Sequence, residues 1–143
     1  MFSEIQESRG IADHPSVGNP MRLTIVCRGT KRGLQLLRRA AQFIDCLEAE
    51  IELFVPIVTP YPLPLDRCPV NLAFTVRLIK DECMRADMRT KIELRLCRDF
   101  AECVRCGLRS ESAVVLQKPT AWEWRDKMLI KMLRRHRHQV IAL

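Results

Sequence analysis

The chain has 143 residues, 48% of them apolar and 29% charged, enough for one soluble domain with a real core and too short for two comfortable ones. Its net charge is +7, from 24 Lys and Arg against 17 Asp and Glu. That balance favours anionic partners without choosing among nucleic acid, acidic protein and free phosphates. Seven cysteines (27, 46, 68, 83, 97, 103 and 106) are an odd number, and several sit inside apolar runs. They read as reduced, buried small hydrophobes, which excludes a disulfide framework. No apolar run is long enough to span a membrane, and the first twenty residues lack the apolar core of a secretory signal. The expected location is the cytoplasm.

Residues 1–20 mix Ser, Gly, Pro, Asn and charges without a period. They read as a flexible N-terminal extension or an arm that packs on something else, and the domain is assigned to 21–143. Residues 22–28 form a short apolar run suited to a strand buried on both faces. Gly29-Thr30 turns the chain, with Thr30 as N-cap of a helix from about Lys31 to Leu47. Leu37, Ala40, Ile44 and Leu47 give that helix its apolar face. Ile51 to Val58 is a second strand, and the proline-rich run Thr59 to Pro64 is a loop, because proline lacks an N–H and fixes φ.

A second helix runs from about Val70 to Ala86, with Leu72, Val76, Ile79 and Cys83 along one side. Residues 91–97 alternate, predicting a strand with one wetter face at a sheet edge. Asp99 caps a third helix bearing Ala101, Val104 and Leu108, and Ala113 to Leu116 is a compact buried strand. Thr120-Ala-Trp-Glu123 fits a capping box. The fourth helix then continues through Trp124, Met128 and Met132, with core or edge packing the preferred reading for both tryptophans, Trp124 in the core, and an exposed Trp122 capping a cleft or an interface as the alternative. Val140 to Leu143 closes the chain as a fifth strand. Short connections and right-handed crossovers make this an α/β fold, a doubly wound, mostly parallel five-stranded sheet with helices on both faces.

The order and the local sequences together resemble the universal stress protein family over residues 21–143. LTIVCRGTKRGLQLL (23–37) is similar to the family's first strand, turn and helix, and AEIELFVPIV (49–58) to its second strand. KIELRLCRDFAECVRCGLRSESAVVL (91–116) follows its third strand, short helix and fourth strand. Met132 to His136 and Val140 to Leu143 resemble its last helix and strand. The resemblance implies strand order 3-2-1-4-5, an adenine nucleotide alpha hydrolase-like arrangement, and pairing of two copies through the last strand.

Two departures bear on function. ATP-binding members carry aspartate after the first strand, where this chain has Arg28. They carry a glycine-rich stretch after the fourth strand, whereas here Gln117 to Arg125 contains no glycine and Asp126-Lys127 stands where Gly-Ser would be. Without glycine the backbone cannot approach a phosphate closely. The resemblance therefore supports the fold and argues against the family's usual cofactor, so none is expected.

Arg28, Gly29, Thr30, Lys31 and Lys118, with Arg32, form a candidate anion site, since the first and fourth strands flank the crevice where the winding reverses. The plainer and preferred reading is a solvated edge whose cations pair with local carboxylates. Cys103-Val-Arg-Cys106 has the spacing of a zinc half-site or a redox pair, but His136 and His138 complete no standard zinc module, and the pair sits within a helix. Packing is the preferred reading and no metal site is assigned. Arg134 to His138 is the densest basic segment, with little aromatic interleaving for base stacking.

No GxSxG elbow, Walker loop or pyrophosphatase-type Ser-Gly-Gly-x-Asp-Ser loop is present, and three histidines without clustered carboxylates leave acid–base chemistry without players. The expectation is a non-enzymatic universal stress protein-like regulatory or protective protein without ATP. It acts through protein contacts and pairs with itself through Val140, Ile141, Ala142 and Leu143. The alternatives are a sensor of an anionic small molecule or nucleotide at Arg28 and Lys118, and a nucleic-acid adaptor using the basic last helix.

Overall fold

The computed structural model describes residues 2–5, 21–44, 49–66, 71–109 and 112–143. In chain order the elements are β1 (Phe2–Ile5), β2 (Met21–Val26), α1 (Thr30–Ile44), β3 (Ala49–Val58), α2 (Leu72–Arg85), β4 (Thr90–Cys97), α3 (Phe100–Gly107), β5 (Ala113–Leu116), α4 (Trp124–Arg135) and β6 (Gln139–Ala142). The sheet runs β1-β4-β3-β2-β5-β6. Strands β2 to β6 pair in parallel, which is the predicted order 3-2-1-4-5 counted from β2. Each central strand alternates between two apolar layers. Leu23, Ile25, Leu53 and Val55 pack with Leu37, Ala40 and Ile44 of α1 and with Val76 and Ile79 of α2. Val26, Phe54, Val114 and Leu116 pack with Val104 of α3 and with Leu129, Ile130 and Leu133 of α4. Two such layers are why β2 and β5 read as unbroken apolar runs.

One strand is additional to the sequence reading. Phe2–Ile5, within the segment assigned as an N-terminal extension, pairs antiparallel with β4 from Phe2↔Arg95 to Ile5↔Ile92. β4 is thus the edge of the parallel set but not of the sheet. Its polar face carries Glu93 and Arg95, which lie beside the end of α3 and pair with each other, Arg95 Nη2 meeting Glu93 Oε1 at 3.2 Å.

Helix boundaries follow local chemistry. Asn71 caps α2 by accepting from the Phe74 N–H at 3.1 Å, and Asp99 caps α3 by accepting from the Glu102 N–H at 3.1 Å. At α1 the first helical bond runs from Gly33 N–H to Gly29 O at 3.0 Å. Gly29, not Thr30, therefore holds the cap position, with φ of +67° that glycine adopts freely. The side chain of Thr30, residues 45–48 including Leu47 and Cys46, and Cys68 and Val70 lie outside the described residues.

Helices α1 and α2 are tied by Glu82, a buried carboxylate that accepts from Arg38 Nε at 2.7 Å and Arg38 Nη2 at 3.4 Å. The bonds to Glu82 and its negative charge push the Arg38 pKa up, against the opposing effect of burial. The proline-rich loop is gathered by Arg98, whose Nη1 donates to the carbonyls of Thr59, Pro60 and Leu63 at 3.1, 3.3 and 2.5 Å. Its guanidinium lies 4.2 Å from the Tyr61 ring centre.

The fourth helix departs from the sequence reading in two ways. It begins at Trp124, not after Thr120. Only half of the capping box forms, with Glu123 Oε2 3.4 Å from the Thr120 N–H. Glu123 N–H instead closes a turn on Thr120 O at 3.1 Å, so Glu123 itself takes the cap position. Neither tryptophan is packed in the core: Trp122 is 91% exposed and Trp124 60%, with Met128 at 59%. The stripe Leu129, Ile130 and Leu133 faces the sheet in place of Trp124.

At the end of α3, a Cβ on Gly107 would run into the Phe54 ring and the Arg95 guanidinium. Because Phe54 is buried and held from both sides, Gly107→Ala is expected to destabilise the fold by about 1–3 kcal/mol through overpacking, measured by urea unfolding.

Candidate functional site

The topology places the reversal of winding between β2 and β5, and ligands of open α/β sheets bind beyond the strand ends there. The chain leaves β2 through Cys27, whose N–H bonds Phe54 O at 2.9 Å, and enters the turn at Arg28. Gly33 in α1 lies close enough to Cys27 that its added Cβ would sit 3.0 Å from the Cys27 Cβ. This close approach draws the start of α1 onto the strand.

The crevice is occupied by the protein's own charges. Arg28 Nη1 lies 2.6 Å from both carboxylate oxygens of Asp126, in the first turn of α4, where a negative charge also complements the helix dipole. The Arg28 guanidinium stacks on Phe100, 4.4 Å from the ring centre. Beside it Arg32 Nη1 meets Glu123 Oε1 at 3.1 Å. The remaining space is about 30 Å³, lined by Val26, Leu116, Gln117 and Leu129 among others. That is room for roughly one or two water molecules and not for a nucleotide.

The predicted site residues thus separate. Arg28 and Gly29 stand at the crevice, and Thr30 opens α1. Lys31 and Lys118 are exposed and do not line the space. The Lys118 N–H donates to Leu143 O at 2.7 Å, which carries its backbone along the β6 side. The sequence reading missed Asp126, Glu123 and Phe100 as partners of the basic cluster. The signal available was the pair of carboxylates, Glu123 and Asp126, bracketing the start of α4.

A larger cleft of about 200 Å³ lies elsewhere, under the end of α3, lined by Thr24, Glu52, Lys91, Glu93 and Arg109 among others. It is remote from the switch point, and its acidic and basic groups offset one another. The Cys103–Cys106 pair splits by burial, Cys103 inside and Cys106 outside. Burial first, then a hydrogen bond with Cys97, pushes the Cys103 thiol up to about 12. Cys27 is likewise pushed up to about 12, by burial and then by Cys83. Among the described residues no three His, Cys, Asp or Glu side chains gather as a metal site. His138 Nδ1 instead accepts from the Ser112 N–H at 3.3 Å, tying the entries to β5 and β6.

Two outcomes follow from these groups. Burial opposes ionisation of Glu123, but the Thr120 N–H and Arg32 outweigh it and hold its pKa below the ordinary 4.5. A depressed carboxylate stabilises the fold above its unfolded pKa and loses that contribution as pH falls through the folded value. The stability difference between the wild type and Glu123→Gln should therefore stay constant from about pH 6 to 8 and shrink on acidification below about 4.5, read by thermal melts. With iodoacetamide at about pH 8, Cys106 should label in the native protein, whereas Cys27 and Cys103 should label only after denaturation, read by peptide mass mapping.

Among the described residues no helix is long and apolar enough to cross a membrane. No family model matches this chain, and no curated protein matches it either.

Proposed function

We propose that this protein is a non-enzymatic, universal stress protein-like regulatory or protective protein that has given up ATP and acts through protein contacts. The reading rests above all on the doubled Arg28–Asp126 contact. A charge-assisted pair of this kind satisfies Arg28, the cation that lines the switch-point crevice, and it leaves a space of about 30 Å³. The same contact counts against the anion-sensor alternative, because an incoming anion would have to displace a carboxylate already in place.

Self-pairing belongs to this reading. β6 is four residues long, lies at the end of the sheet and leaves one row of N–H and C=O groups facing outward. A second copy adding its own β6 there would continue the sheet through a two-fold axis. Among the described side chains of the crevice none pairs a nucleophile with a base, or an acid with a base, which supports a binding role over catalysis.

The test is a thermal-shift titration with Mg-ATP, ADP, AMP and pyrophosphate. A ligand that binds only the native state adds about 2.7 kcal/mol of stability at a hundredfold excess over its Kd. No shift is expected up to millimolar ligand. A saturable rise that Arg28→Asp abolishes would overturn the reading in favour of the anion sensor.

A further inference from the structure

The outward face of α4 is aromatic and basic at once, and its acidic residue is turned away. Trp122 is 91% exposed, and Trp124 and Met128 follow at 60% and 59%. Along the helix Trp124, Met128, Lys131 and Arg135 fall at spacings of four, three and four residues. This puts them on one stripe, and all four are exposed. Arg125 lies 5.6 Å from the Trp124 ring centre. The helix carries five cations, Arg125, Lys127, Lys131, Arg134 and Arg135, against one carboxylate, Asp126. That carboxylate is held by Arg28, and Glu123 just before the helix is held by Arg32. The stripe therefore carries no carboxylate over about 16 Å: Trp124 and Met128 lead it, Lys131 and Arg135 follow, and Trp122 is exposed just before the helix.

We propose that this face binds single-stranded nucleic acid, the tryptophans stacking on unpaired bases and Lys131 and Arg135 contacting phosphates. Two features select this occupant. Cations alone would serve any polyanion, but exposed indoles beside them match unpaired bases, which offer a flat π-face that a duplex keeps stacked internally. A lipid surface would need a broad apolar face to insert. The apolar face of α4, Leu129, Ile130 and Leu133, is already buried against the sheet, and the remaining apolar groups share their stripe with the cations. The stripe lies outside the switch-point crevice, while its freedom from acid rests on the same Arg28–Asp126 and Arg32–Glu123 pairs.

The experiment is fluorescence anisotropy of the full chain with labelled oligothymidylate and oligouridylate of about twelve nucleotides. Saturable binding is expected. The doubly substituted Trp122→Ala, Trp124→Ala protein should bind at least about tenfold more weakly. Lys131→Gln with Arg135→Gln should flatten the slope of log K against log salt by about 1.4, the share of two phosphates on a single strand. All four side chains are exposed, so the variants should melt as the wild type does; if the tryptophan variant is unfolded, the salt slope of the charge variant decides. The proposal is overturned by absence of binding at about 50 mM salt, by tryptophan variants of wild-type affinity, or by a duplex bound as tightly as the single strand. It is equally overturned by binding to phosphatidylserine vesicles when the oligonucleotides fail to bind. A nucleotide-driven thermal shift overturns the closed-crevice reading alone, whereas loss of oligonucleotide binding in the tryptophan and charge variants is read with no free nucleotide present and tests the α4 face alone.

Discussion

The contact between Arg28 and Asp126 fixes more than a crevice. Asp126 sits one turn into α4, and its engagement with the end of β2 sets the rotation of that helix about its axis. With about 100° between successive residues, an inward Asp126 leaves Leu129, Ile130 and Leu133 on the sheet side, where they are buried. The same rotation turns Trp124, two positions earlier, about 200° away, into solvent. The pairing therefore fills the space at the switch point and acts with the burial of Leu129, Ile130 and Leu133 to select which side of α4 the protein displays. The connection that makes this geometry available, Gln117 to Glu123, contains no glycine. It leaves β5 beside β6, with Lys118 N–H on Leu143 O, and reaches the helix by a turn instead of a phosphate-cradling loop.

The net charge of +7 is not spread evenly in its effects. Where acidic residues meet the scaffold they are committed: Glu82 to Arg38, Glu123 to Arg32, Asp126 to Arg28 and Glu50 to Arg22 at 3.4 Å. Most of these pairs are partly exposed, so each contributes modestly to stability. Their larger consequence is directional. Carboxylates drawn inward no longer neutralise the cations on the outer side of α4, and the field there is set by lysine and arginine alone.

Most of the architecture was legible in the sequence because it rests on apolar periodicity. The runs Leu23 to Cys27 and Ala113 to Leu116, and the faces of the first three helices, are direct records of burial on two sides. The parts that were not legible depend on tertiary choice. The first strand is four residues that pair only because β4 presents a free edge. The rotation of α4 could not be read from its pattern, since WRDKMLIKMLRR offers two apolar stripes, Trp124-Met128 and Leu129-Ile130-Leu133. Its neighbours in the sheet decide between them. At the crevice the cations were visible as a cluster, but their partners lie about ninety to a hundred residues away in sequence, a separation that no local pattern encodes.

The strand Phe2–Ile5 has a consequence for the handling of the chain. β3 and β4 are the longest strands, at ten and eight residues, and both are interior, while the two borders of the sheet are four residues each. Short borders give few hydrogen bonds to an incoming strand, which is a common protection against open-ended sheet growth. Cutting away the first five residues would make β4 the border. Its eight-residue edge, rich in Ile92, Leu94 and Leu96, would then be free to template other chains. Phe2–Ile5 in this sense acts as a cover for the longer edge, and removing it would leave β4 open to pairing with another strand.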